Sequence, residues 1–125
     1  MKSETIFWKL VKQKTPKIKW TRLESWSSFG VPDLLGYNDK CGFLMCELKV
    51  TKGHKVYFSP HQLLFHQTHT KRNFILLQTL DPLSVKLYES KEVLRIKSDH
   101  REARCLALDD WDYIQRLLLD DSLDA

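Results

Sequence analysis

One segment constrains the fold of this chain more than any other: residues 43–50, FLMCELKV. Alternation along a strand puts Phe43, Met45, Glu47 and Lys49 on one face and Leu44, Cys46, Leu48 and Val50 on the other. A strand apolar on both faces belongs in the middle of a sheet, and this one carries a carboxylate and an ammonium two residues apart. Residues 33–37 (DLLGY) read as its partner strand, and Asn38 to Gly42 (NDKCG) between them has turn chemistry. A five-residue loop centred on Lys40 pairs Tyr37 with Phe43. The same register sets Asp33 opposite Glu47, with Cβ atoms roughly 4.5–5.5 Å apart. Two carboxylates that close repel each other unless a proton or a cation lies between them. A hard divalent cation takes such oxygens together with backbone carbonyls and waters. Lys49, on the same face, can hold an attacking water or a phosphate oxygen. The plain alternative is an ion-pair ladder, Asp33–Lys49 or Glu47–Lys49, on a solvated face. The apolar surroundings of the strand, and Pro32 at the start of its partner, weigh against it.

The rest of the pattern supplies a sheet and its cover. Ser3 caps a first helix over residues 4–14, with Ile6, Phe7, Leu10 and Val11 as its apolar stripe and Glu4 at the inward edge. Pro16 ends it, and residues 18–24 read as a strand with Ile18 and Trp20 on one face. Ser59 and Pro60 open a second helix running to about Arg72. Residues 74–80 (FILLQTL) are a buried strand, residues 84–89 a more exposed one, and a short helix fits near Lys91–Ile96. Asp109 caps a last helix over about 110–119, bearing Trp111, Ile114, Leu117 and Leu118. Three consecutive strands suggest an antiparallel meander, and the helix between residues 50 and 74 a crossover. The fold class is α/β: a mixed sheet of about five strands flanked by helices, in one domain over residues 1–125.

Charge narrows the partners. The chain has 20 Lys and Arg against 16 Asp and Glu, a net +4. Residues 109–125 hold six Asp and one Arg, so the remaining 108 residues carry +9. A body this basic suggests a polyanion partner. The phosphate contacts expected are Lys9, Lys12, Lys14, Lys17, Lys19, Arg22, Lys52, Lys55, Lys71 and Arg72. No apolar run is long enough to span a membrane, the N-terminus does not read as a signal peptide, and three cysteines form neither a framework nor a CxxC. The expectation is a cytoplasmic protein with no membrane partner and no small-molecule cofactor. The histidines lack zinc spacing; they read as surface or DNA-proximal groups, although His66 and His69 share a helix face with Gln62.

Gly30-Val-Pro-Asp33, a hairpin, and an apolar strand ending Glu47-Leu-Lys49 resemble the PD-(D/E)xK nuclease superfamily. The stretch Ser59-Pro-His-Gln62-Leu-Leu-Phe, with the apolar strand after it, resembles the corresponding helix of archaeal-type Holliday-junction resolvases and VRR-type nucleases. The resemblance covers roughly residues 3–80 and implies a restriction-endonuclease-like sheet. It implies that Asp33, Glu47 and the Leu48 carbonyl ligate Mg²⁺ or Mn²⁺, and that Lys49 positions the attacking water. Glu4 would hold the hydration shell or a second ion, and Gln62 would orient Lys49 or the water. Ser27 or Ser28 would be the loop serine before the Pro-Asp. The activity implied is a homodimeric, structure-selective DNA endonuclease, a resolvase making paired cuts in four-way junctions. The alternatives are a VRR-type, flap or site-specific nuclease of the same fold, a non-catalytic DNA-binding module, and a plain interaction protein. Trp26 and Phe29 would either stack on bases or close the core. The last helix or the central strands would supply the dimer contact.

Overall fold

Six strands form one sheet in sequence order in the computed structural model, which describes residues 3–23 and 29–124. Helix α1 (Ser3–Lys14) leads into β1 (Lys19–Arg22), β2 (Leu34–Asn38) and β3 (Gly42–Thr51). Helix α2 (Pro60–Thr68) crosses over to β4 (Asn73–Leu80), followed by β5 (Leu83–Glu89), α3 (Val93–Ser98), β6 (Ala107–Leu108) and α4 (Trp111–Leu118). The first three strands form the antiparallel meander, β3 and β4 are parallel, and β5 and β6 extend the sheet antiparallel. The mixed α/β class read from the sequence is present, with four helices and one strand more than expected. Among the described residues no helix is long and apolar enough to cross a membrane.

The sheet has a core on each face. On one, Phe7 and Val11 of α1 and Ile114, Leu117 and Leu118 of α4 pack with Leu44, Cys46 and Leu48 of β3. On the other, Val56 and Phe58 of the segment after β3 and Val93 and Ile96 of α3 pack on Ile75 and Leu77 of β4 and Tyr88 of β5. The alternation of β3 assigns the faces as expected: Cys46 is buried in the first core, and Glu47 faces the second. Tyr37 pairs with Phe43 and Leu34 with Cys46, so one more step in the register brings Asp33 level with Glu47.

Several expectations need correction. Ile6 is 53% exposed, because the stripe of α1 is narrower than four residues. Helix α2 ends at Thr68, where the Thr68 hydroxyl turns back to Leu64 O and Asn73 Nδ2 donates to His69 O, taking the chain into β4. Strand β5 is not exposed: β6 covers its outer edge, and Val85, Leu87 and Tyr88 are buried. Asp110, not Asp109, caps α4, accepting from Tyr113 N–H. Asp109 instead accepts from Val85 N–H at 2.7 Å.

Candidate active site

The centre forms where β2 begins and β3 is still continuing. Beyond Leu34 the ladder between them ends, and the Leu48 N–H turns to a side chain, donating to Asp33 Oδ2 at 2.7 Å. A strand residue directs its N–H and C=O to the same edge, so the Leu48 carbonyl also faces the Asp33 side. The loop carrying Asp33 is docked by Gly30, whose φ of +81° suits glycine. A Cβ there would lie 2.2 Å from the His61 carbonyl oxygen, so Gly30 rests directly on the first turn of α2.

Asp33 and Glu47 are joined by a side-chain hydrogen bond. Burial, reinforced by that bond and by the neighbouring Glu47 charge, pushes the Asp33 pKa up to about 8, against the Leu48 N–H and the Lys49 charge. Glu47 is 1% exposed. Burial raises its pKa too; the bond from Asp33 and the charge of Lys49 act the other way, and Glu4 adds to the rise. Burial and mutual repulsion therefore favour two carboxyl groups sharing one proton.

The N-terminus of α2 orders the other side. Ser59 and Gln62 form a capping box: Gln62 N–H donates to Ser59 Oγ at 3.1 Å and Ser59 N–H to Gln62 Oε1 at 3.0 Å. That same Oε1 accepts from Lys49 Nζ at 3.0 Å, and Gln62 Nε2 points to Glu47 Oε2 at 3.5 Å. The cap thus fixes which end of the Gln62 amide meets the cation and which the carboxylate. Lys49 is 9% exposed, with its ammonium 4.7 Å from the Phe58 ring centroid.

One turn after Gln62, His66 completes the centre, and the reading of the histidines as surface groups is corrected there. His66 is 0% exposed, and its Nε2 lies 3.4 Å from Glu47 Oε1. Asn73 Nδ2 lies 3.1 Å from His66 Nδ1 and 2.8 Å from His69 O. Both contacts need the amide as donor, so Nδ1 accepts and Nε2 carries the hydrogen aimed at Glu47. Burial and the Lys49 charge hold the His66 pKa down, at about 4, so the ring is neutral at physiological pH. The signal was present, since Gln62 and His66 are one turn apart on one helix face; its burial was not legible.

The structure brings Asp33, Glu47, Leu48, Lys49 and Gln62 together. Glu4 lies exposed on α1, near enough for its charge to act on Glu47. Lys9, Lys12, Lys14, Lys17, Lys19, Arg22, Lys52, Lys55 and Lys71 are exposed, but only some adjoin the centre. Lys52 and Lys55 follow β3 directly. Lys14 lies ten residues along α1 from Glu4, about 15 Å, and Lys17 and Lys19 line a hollow with Tyr37 and Lys40 at the hairpin end of the sheet. Arg72 is drawn elsewhere: its guanidinium donates to Leu118 O at 2.7 Å and Asp120 O at 3.1 Å, closing the C-terminus of α4. Phe29 is 65% exposed; Ser27, Ser28 and Trp26 lie outside the described residues. Ile114 and Leu118 are fully buried in their own core, so the last helix does not offer them as a dimer contact.

Two carboxylates held within hydrogen-bonding distance, with the Leu48 carbonyl on the same edge, form a hard-oxygen set of the kind Mg²⁺ or Mn²⁺ takes, water completing the shell. Among the described residues no group of three His, Cys, Asp or Glu side chains forms a metal site by itself. No family model, curated protein or solved structure matches the chain.

Proposed function

We propose that the chain is a metal-dependent DNA endonuclease of the PD-(D/E)xK kind, a homodimeric resolvase making paired cuts in four-way junctions. The observation that carries this is the hydrogen-bonded pair of Asp33 and Glu47 carboxyl groups beside a nearly buried Lys49. Such a pair is costly to a fold that does not use it, and it exchanges its shared proton readily for a cation. Asp33, Glu47 and the Leu48 carbonyl would hold Mg²⁺ or Mn²⁺, which when bound makes a coordinated water more acidic and offsets phosphate charge. Lys49, tethered by Gln62 Oε1 and resting on Phe58, orients the attacking water and meets the charge developing on the phosphate. Glu4, whose charge acts on Glu47, would hold water at the edge of the set.

Paired cuts need two centres, and a two-fold dimer supplies them. Phe43, 62% exposed with its ring 4.8 Å from that of Tyr37, offers apolar surface on the central strands. The test is cleavage of four-way junction, flap and linear duplex DNA with and without Mg²⁺, by the wild type, Glu47→Gln and Asp33→Asn. Either substitution should lower cleavage at least about a hundredfold while junction binding in Ca²⁺ persists. Light scattering should report about twice 14.8 kDa. Wild-type cleavage by either variant overturns the nuclease reading; a monomer that only nicks overturns the resolvase.

A further inference from the structure

On the same sheet face as the carboxylate pair lies a second basic hollow. Lys49 is level with Leu77 of β4, and Leu77 with Lys86 of β5. All three therefore point to one face, with Lys49 and Lys86 two strand spacings, about 10 Å, apart. The segment after β3 folds over Leu77 between them: Phe58 lies against Lys49, while Lys52 to His54 border a cavity of about 420 Å³ with Lys86, His100 and Arg101.

The cation in that cavity is unusual. Lys86 is half-buried, and among the described residues its ammonium has one hydrogen-bond partner, His100 Nδ1 at 3.2 Å. His100 is 4% exposed, and its Nε2 lies 3.0 Å from the Gly53 carbonyl oxygen. A carbonyl only accepts, so Nε2 carries the hydrogen and Nδ1 accepts from the ammonium. The imidazole is thus neutral and offsets no charge. Among the described residues no carboxylate lies within ion-pair distance of Lys86. Asp81 and Asp109 border the cavity, but the oxygens of Asp109 are engaged by Val85 N–H at 2.7 Å and by the Ser84 hydroxyl at 3.3 Å. Arg101 is held by Asp99 through Nε and Nη2. A half-buried ammonium whose one partner among the described residues is neutral favours an anion beside it.

The geometry points to this cavity as a phosphate subsite, centred on Lys86 with Lys52 at its mouth. The phosphate is a phosphodiester of a nucleic-acid strand whose neighbouring segment lies at Asp33 and Glu47. The assignment of the phosphate to a DNA strand rests on the nuclease reading; the anion site itself does not. Lys86 touches neither carboxylate, so removing its charge changes strand binding and leaves the metal set alone.

The experiment is fluorescence-anisotropy titration of a labelled duplex in EDTA across a salt series, with wild type, Lys86→Met and Lys86→Arg, alongside calorimetry with inorganic phosphate and with Mn²⁺. Lys86→Met keeps the aliphatic stem and should weaken duplex binding about tenfold at low salt. Its log K against log salt slope should be shallower by about 0.9. Lys86→Arg should restore both, and Mn²⁺ affinity should be equal in all three. Phosphate binding lost with Lys86→Met while duplex binding is unchanged would assign the site to a free phosphate and overturn its place on the strand. Unchanged affinity for both ligands overturns the subsite. Should wild type fail to cleave DNA while Lys86→Met still loses phosphate binding, the subsite stands and the nuclease reading falls.

Discussion

His66 Nε2 meets Glu47 Oε1 at 3.4 Å with both side chains withdrawn from water, and Asn73 holds the other ring nitrogen at 3.1 Å. A neutral ring fixed in one tautomer orients a carboxylate without neutralising it. Glu47 is thereby held from the α2 side by His66 and Gln62, leaving its Asp33 side for the shared proton or a cation.

His66→Ala should destabilise the fold by about 1–3 kcal/mol, since it empties a closed site and removes one of the contacts of Asn73 Nδ2, which keeps His69 O, and the ring N–H facing Glu47 Oε1. His66→Gln, which can return an N–H toward Glu47, should recover Mn²⁺ affinity more fully than stability. Urea unfolding paired with calorimetry reads both; equal loss of the two in both variants would reduce His66 to a packing role.

Asp33 couples stability to pH. Its folded pKa of about 8 stands above its ordinary 3.8, so the protonated acid favours the fold. That contribution is complete below the ordinary value and fades as pH rises through the folded one. Metal-free wild type should lose melting temperature between about pH 6.5 and pH 8; below that window His66, whose pKa is held down at about 4, adds stability as pH rises and opposes the Asp33 slope. Asp33→Asn should flatten this slope and melt several degrees higher at the alkaline end. Saturating Mg²⁺ should stabilise wild type near pH 8, by about 2.7 kcal/mol at a hundredfold excess over Kd, and leave Asp33→Asn unmoved.

In the proposed nuclease, Lys49 would separate binding from turnover. With its carboxylates intact, Lys49→Met should bind Mn²⁺ and junction DNA within about threefold of wild type while cleavage falls at least about a hundredfold. Calorimetry showing Mn²⁺ affinity lost with Lys49 but kept in Asp33→Asn would reverse the roles assigned to these residues.

Gly30→Ala tests the docking of the Asp33 loop. Its Cβ would meet the His61 carbonyl at 2.2 Å on a backbone with positive φ, costing about 1–3 kcal/mol. Because the loop must lift from α2, cleavage should fall further than the lost stability explains. A variant as stable and active as wild type would show that this contact does not set the position of Asp33.

Much of this centre could be read before any coordinates. The turn at Asn38–Gly42 sets the hairpin register, and register with period-two alternation places Asp33 opposite Glu47 and Cys46 behind it. Ser59, Pro60 and Gln62 encode the helix start and its cap, because those contacts lie within one turn. All of these are local, so residue type and spacing suffice. Tertiary structure decided the rest. His66 is a centre residue and His69 an exposed one only because α2 docks with one face on Glu47 and Asn73. Arg72 is turned to the end of α4 because the returning chain places the Leu118 and Asp120 carbonyls beside it. Strand β5 is interior because two residues of β6 pair with it, too short a signal to read, and Asp109, which borders the cavity at Lys86, is turned instead to Val85 N–H. Each of these depends on which distant segment arrives beside a residue, and neither periodicity nor propensity carries that information.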